Sequence, residues 1–246
     1  MISIVIPTYN EKDAIEGALT QFDSLTLPHE IIVTDDKSTD ATAEIARKYA
    51  DIVLVPESKH ISISANRNDG VRHSHGDMLV FIDADSRIKE PEVFFGRALK
   101  HFDENPKLVA LTGSLHVSPE LETFGDKIVY AGFNIVHRVK NNILHMGEAP
   151  GRFQMMRLSA FDKVNGYRED LITREDGDMF ARLSKIGSTT YDPKLEVLHS
   201  GRRAHAIGWP KLLSIWMVET FWVAAFGTTR SKNWERWWEK DAKARA

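Results

Sequence analysis

The chain predicts an α/β protein: a Rossmann-like mixed sheet flanked by helices, with a C-terminal helical appendage. Three observations lead there. Short β-rich apolar runs alternate with amphipathic helical stretches in the first part of the chain, the order of a parallel sheet covered by helices. Acidic residues cluster where those runs end, the place at which open α/β sheets bind ligands. An almost uniformly apolar segment and a basic, Trp-rich tail close the sequence.

Strands are predicted over residues 2–6, 30–34, 52–55 and 78–82, and helical spacing marks 11–25, 39–49 and 63–73. Pro91 fits the first turn of a helix running to Asn105. Residues 1–105 therefore read as a nucleotide-binding half. Residues 106–205 are less regular and read as an acceptor half, together forming one catalytic domain, 1–205. There a strand is predicted at 108–117, a helix at 124–139, a mobile-looking loop at 147–151, and a helix near 176–186. The strand-like run Leu195-Glu196-Val197-Leu198 follows.

Residues 206–246 form the extension. Its segment Trp209–Phe226 is apolar almost all round, but Lys211 and Glu219 interrupt it. It also falls short of the roughly 20 residues that a spanning helix needs. Beyond it, Arg230–Ala246 carries six Lys/Arg against three Asp/Glu, with Trp234, Trp237 and Trp238 at helical spacing. Tryptophan and basic side chains favour the lipid headgroup zone. Two readings stand equal here: a peripheral membrane contact that presents a lipid-linked acceptor, or helices packed on the catalytic domain or on a second copy in a homodimer.

Composition narrows the function. With 246 residues, 42% of them hydrophobic and 27% charged, the chain can bury a full core. A net charge of −3 supplies no basic field, so nucleic acid is not an expected partner. The absence of cysteine excludes a disulfide framework and zinc–thiolate sites. Met1-Ile2-Ser3 leads straight into the first apolar run with no basic n-region, so a cytoplasmic protein is expected, at the inner face of the cell membrane in the lipid reading.

The chemistry starts at Asp83-Ala84-Asp85, directly after Met78-Leu79-Val80-Phe81-Ile82. Two carboxylates abutting a buried strand repel one another unless a cation or a basic partner intervenes. Carboxylate oxygen suits Mg²⁺ or Mn²⁺, and through it a diphosphate. Asp85 is the better direct ligand, with Asp83 reaching ribose or metal through water. Pro7-Thr8-Tyr9-Asn10-Glu11 ends the first strand, where the Tyr9 ring can stack on a nucleobase; an ordinary turn with Asn10 as helix cap is the competing reading.

Asp35-Asp36 closes the second strand, and Asp36 is well placed for a ribose or base N–H. Arg67, on the helix before the acidic pair, offers a forked cation to phosphate or to the acids. Glu175 and Asp176 open a helix as ordinary dipole partners, yet beside a metal–diphosphate site Asp176 becomes the candidate general base and Glu175 a candidate diphosphate- or acceptor-side residue. His199 ends a strand and is placed to complete a Mn²⁺ shell, and Arg202 or Arg203 to meet phosphate.

In order along the chain, Ile-Pro-Thr-Tyr-Asn-Glu at 6–11, Asp-Asp-x-Ser-x-Asp at 35–40, Ala-x-Arg-Asn-x-Gly at 65–70, Asp-Ala-Asp at 83–85, Glu-Asp-x-Asp at 175–178 and His199 resemble glycosyltransferase family 2. Lys37 stands where a glycine is usual. The resemblance implies a GT-A fold, a nucleotide-diphosphate sugar donor, inverting transfer, and a divalent cation, Mn²⁺ or Mg²⁺. It implies that Pro7, Tyr9, Glu11 and Asp36 hold the nucleoside, Asp85 and His199 the metal, and that Asp176 is the catalytic base. The Gln-x-x-Arg-Trp end of processive synthases is missing, since Glu235-Arg236 precedes Trp237-Trp238, so single-sugar transfer to an acceptor hydroxyl is expected. A nucleotidyltransferase and a non-catalytic sugar-nucleotide-binding module are the alternatives. The first normally needs a Gly-rich phosphate loop, and Pro7-Thr8-Tyr9-Asn10 has no glycine.

Overall fold

Parallel strands buried on both faces demand near-continuous apolar runs, and the first strand, β1 (Ile2–Thr8), is buried at every position. A computed structural model describes residues 1–57 and 62–229. After β1 come α1 (Ile15–Thr20), β2 (His29–Asp35), α2 (Thr42–Ala46), β3 (Ile52–Leu54), α3 (Ile63–Arg72), β4 (Met78–Ile82), α4 (Pro91–Glu104) and β5 (Leu108–Val117). The second part adds α5 (Phe124–Asn142), β6 (Phe153–Arg157), α6 (Leu158–Lys163), α7 (Glu175–Leu183), β7 (Ser188–His199), α8 (Arg202–Ile207) and α9 (Trp209–Phe226).

These strands form one seven-stranded sheet in the order β3-β2-β1-β4-β6-β5-β7. β1 is parallel to β2 and β4, and β6 runs antiparallel between β4 and β5. The sheet is thus mixed, as the sequence predicts. One apolar cluster, with Ile4, Val80, Phe95 and Phe153, fills one side of it, and a second, with Val5, Phe81, Phe161 and Phe180, fills the other.

Two predicted helices are much shorter than their apolar periodicity. The first shrinks from 11–25 to α1, which no side chain caps, while Gln21 just beyond it turns away to accept from the Ile88 N–H at 2.8 Å. The second shrinks from 39–49 to α2, because Asn10 holds the Thr39 N–H at 2.8 Å and Asp40 takes the Thr42 N–H at 3.0 Å. Asn10 is therefore a cross-link between two loops, not a helix cap. The loop at 147–151 corrects another expectation: Gly147, Glu148 and Ala149 are buried, and Glu148 is held by Lys140 at 2.6 Å and by Arg174 at 3.2 Å. It is pinned.

Strand β6 escapes the sequence reading. Its residues lack β-branching, and Gln154 interrupts the apolar run, yet Gln154 is fully buried because its amide finds three partners inside the fold. At the other end, α9 packs on α5 through Trp216 against Phe133, with ring centroids 5.7 Å apart, and the Trp209 indole donates to Asp126 at 2.8 Å. α9 leaves Met217, Phe221 and Phe226 exposed. Among the described residues no helix is long and apolar enough to cross a membrane. The basic tail with Trp234, Trp237 and Trp238 lies outside the described residues.

Candidate active site

A cavity of about 520 Å³ opens at the carboxyl ends of β1, β2 and β4. Pro7, Tyr9, Glu11, Asp36, Arg67, Asp83, Asp85, Glu175, Asp176, Arg202 and Arg203 all line it. Of the predicted site residues, His199 alone lies behind the wall.

Local backbone explains the gathering. Asp83 ends β4 in a tight turn, closed by the Ser86 N–H on the Asp83 carbonyl at 3.0 Å. Arg87 then pairs with Leu198, near the end of β7, through two backbone hydrogen bonds of 2.8 and 2.9 Å. That short bridge carries Ser200 to Asp85, where its hydroxyl donates at 2.5 Å. Gly201, at φ 65°, turns the chain into α8, and Arg202 crosses to the first loop to hold Glu11 in a two-pronged ion pair. Between the acids, Asp35 is spent on its own turn, accepting from the Ser38 N–H at 2.8 Å, and Asp36 faces the cavity. Lys37 after them adopts φ 58°, the left-handed region that makes glycine usual at that position.

Arg67 is the hub. Its side chain, 1% exposed, lies 2.6 Å from Asp176, 3.5 Å from Asp83 and 3.7 Å from Glu175. It also donates to the Gly151 carbonyl at 3.1 Å and lies over the Tyr167 ring at 5.2 Å. The predicted base Asp176 and the predicted donor-site acid Asp83 thus share one buried guanidinium. Gln154 donates to Asp176 at 2.5 Å and accepts from the Tyr167 hydroxyl at 2.6 Å. Arg152 lies 2.5 Å from Asp85 and 3.8 Å from Asp83.

Burial and charge divide the acids. Burial opposes ionisation of Asp85, but Arg152, Arg202 and the Ser200 hydroxyl outweigh it and hold that carboxyl well below the usual range. Burial wins at Asp83 against Arg152 and Arg67, and at Glu11 against Arg202, so both are raised. Glu175 is raised by burial and then by the neighbouring Asp176 charge. Burial, reinforced by Arg152, pushes His199 down to about 2, leaving a neutral imidazole.

The donor types suit a divalent cation: an ionised Asp85 carboxylate and a neutral imidazole whose buried Nε2 has no hydrogen-bond partner. The arrangement is nevertheless closed. Asp85 gives one oxygen to Arg152 and the other to Ser200, and His199 Nδ1 accepts the Gly201 N–H at 3.0 Å. A neutral imidazole that accepts at Nδ1 carries its proton on Nε2, so ligation there requires that contact to be given up. Among the described residues, no three His, Cys, Asp or Glu side chains gather so as to hold a metal ion.

The sequence reading missed Arg152, Gln154, Tyr167 and Glu148. A polar residue inside an apolar run was the available signal for Gln154. For Arg152 and Tyr167 the partners Asp85 and Arg67 lie too far along the chain to be inferred, and Glu148 sits in the loop that reads as mobile. The cavity also continues between α5 and α9, past Phe133, Val136, Trp216 and Thr220.

This mixed sheet with its acidic cleft defines a GT-A-type glycosyltransferase fold. The chain belongs to glycosyl transferase family 2, whose model matches residues 3–164. It is 28% identical over 184 residues to the poly-beta-1,6-N-acetyl-D-glucosamine synthase of Staphylococcus epidermidis, a match covering 71% of this chain and 43% of the synthase. The chain thus spans less than half of that relative's length. Among solved structures, the mannosyltransferase PcManGT of Pyrobaculum calidifontis, in complex with GDP-Man and Mn²⁺, aligns with a TM-score of 0.67 at 17% identity, over 81% of this chain and 56% of the other. S. aureus TarS 1-349 in complex with UDP-GlcNAc aligns with a TM-score of 0.63 at 18% identity, over 80% and 57%.

Proposed function

We propose that this chain is an inverting glycosyltransferase that moves a single sugar from a nucleotide-diphosphate sugar to an acceptor hydroxyl. The observation that carries the reading is the meeting of Asp83 and Asp176 on one buried guanidinium, Arg67, in a cleft at the strand ends. A leaving diphosphate and an attacking hydroxyl need opposite equipment within one site, cationic for the first and basic for the second. Nucleotide sugars in two structures of the same fold support the donor class.

In this reading Pro7, Tyr9, Glu11 and Asp36 hold the nucleoside. Arg202 and Arg203 face the diphosphate, offsetting the charge that grows as the bond to the sugar breaks. Asp85 and His199 would hold a divalent cation, Mn²⁺ or Mg²⁺, which supplies Lewis-acid charge to the diphosphate when bound. Asp176, fixed by Gln154 and Arg67, takes the proton of the acceptor hydroxyl as that oxygen attacks the anomeric carbon. Attack opposite the leaving diphosphate inverts that carbon, and the products are a glycoside and a nucleoside diphosphate. The arm of the cavity between α5 and α9 is read as the acceptor side; its Phe133, Val136 and Trp216 suit an acceptor with an apolar portion, such as a lipid-linked one.

The test is Asp176→Asn. Transfer is expected to fall by about 10²–10⁴-fold, the usual worth of a positioned base, while donor affinity by calorimetry is retained. A parallel loss of donor affinity would move Asp176 into the donor site. Release of pyrophosphate in place of a nucleoside diphosphate would identify a nucleotidyltransferase, and binding without turnover a non-catalytic module.

A further inference from the structure

The acidic pair after β4 is already neutralised by the protein itself. Arg152 Nη1 lies 2.5 Å from one Asp85 oxygen and 3.8 Å from an Asp83 oxygen, the position between two carboxylates that a cation would take. Ser200 holds the second Asp85 oxygen at 2.5 Å, and Gly201 holds His199 in the tautomer that does not ligate through Nε2. Both Asp85 oxygens are therefore engaged, His199 Nε2 carries the ring proton in that tautomer, and Arg152 supplies the charge.

We propose that Arg152 is a built-in counter-ion that locks the Asp83–Asp85 site, and that a divalent cation enters only as Arg152 leaves. The inference rests on reading Asp85 as a cation ligand. The two positive groups are mutually exclusive for a physical reason: a guanidinium and a divalent ion on the same carboxylate oxygen repel each other in a buried site, where screening is weak. When Arg152 departs, Asp83 keeps Arg67 at 3.5 Å and Asp85 keeps Arg202 at 3.8 Å, but Asp85 loses the partner at 2.5 Å, so most of the vacated charge is at Asp85. Arg152 follows Gly151 at the edge of the same cavity as Arg202 and Arg203, so its fork, once released, has a donor diphosphate within the cleft to meet. A diphosphate thus draws Arg152 off the acids as the cation arrives. The lock makes cation binding in the absence of nucleotide weak, and couples the two ligands through one side chain.

Titrating Mn²⁺ alone into the protein, with free ion followed by its electron paramagnetic resonance signal, tests this without any turnover. Arg152→Gln is expected to bind Mn²⁺ about tenfold or more tighter than wild type, because removing the nearer member of a buried pair leaves Asp85 with only the more distant Arg202 at 3.8 Å to compensate its charge. Arg152→Lys, which keeps a positive charge but not the fork, is expected to fall between them, and it serves if the glutamine variant fails to fold. Adding Asp85→Asn to Arg152→Gln should abolish the gain. Equal affinities in wild type and Arg152→Gln would overturn the lock while leaving the metal assignment standing. A gain that survives Asp85→Asn would overturn it too, and no binding in any of these proteins would remove Asp85 as a ligand and the lock with it.

Discussion

Replacing Arg67 with methionine removes one buried cation from three carboxylates while keeping most of the side-chain volume. Asp176, Asp83 and Glu175 lie 2.6, 3.5 and 3.7 Å from it, and it is 1% exposed. Breaking a buried ion pair by deleting one partner costs about 3–5 kcal/mol, because the charge left behind is uncompensated. For a chain of this size that is a fall in Tm of about 6–20 °C, at roughly 2–4 °C per kcal/mol. The cost has a pH signature. Burial already raises Asp83 and Glu175, and loss of the guanidinium raises them further. A carboxyl raised in the folded state contributes stability that is fully present below its unfolded pKa and is lost as pH rises through the folded value. The deficit of Arg67→Met is therefore expected to be larger at pH 8 than at pH 5. Urea unfolding of both proteins at the two pH values measures it. A loss below about 1 kcal/mol at pH 8, the range of an exposed pair, or a loss independent of pH, would refute the claim that Arg67 is the counter-ion of the acidic cluster.

Two further outcomes follow from the same cluster. A Cβ on Gly151 would sit 2.6 Å from Asp176 Oδ2 and 3.2 Å from Arg67 Nη2, so Gly151→Ala should displace the proposed base with little backbone cost; turnover is expected to drop by roughly 10²-fold per ångström of displacement while Tm holds, as steady-state kinetics beside a thermal melt would show. Glu175 is raised by burial and by Asp176, so its contribution to stability declines as pH rises from 4.5 through its folded value; Glu175→Gln should flatten the Tm profile between pH 5 and 9, and an unchanged slope would assign that decline to another group.

The nucleotide-binding half was legible because its code is local. An apolar run buried on both faces fixes a strand, and the acids that follow it must then lie at the strand end: β4 falls on residues 78–82 as read, with Asp83 and Asp85 beyond it. Arg67, read as a forked cation for phosphate or the acids, proves to join both acidic groups. Helix extent was less legible, since Asn10 and Asp40 take backbone N–H groups that periodicity alone assigned to helix. Strand β6 was not legible at all. Its buried Gln154 is tolerable only because Asp176, Tyr167 and Pro150 supply hydrogen-bond partners from elsewhere in the fold.

By itself, then, the sequence determined the class of fold, the order of the motifs and the residue types in the cleft, because hydrophobic period and turn chemistry act over a few residues. The tertiary structure alone decided who neutralises whom. Arg152 meets Asp85 across 67 positions, Arg67 meets Asp176 across 109, and Arg202 meets Glu11 across 191. The first is set by the pairing of β6 beside β4, the second by where α3 and α7 lie, and the third by the short bridge between Arg87 and Leu198; no local pattern encodes any of them. The protonation pattern of the site follows from them, since burial and the nearest guanidinium decide whether each carboxyl is raised or lowered.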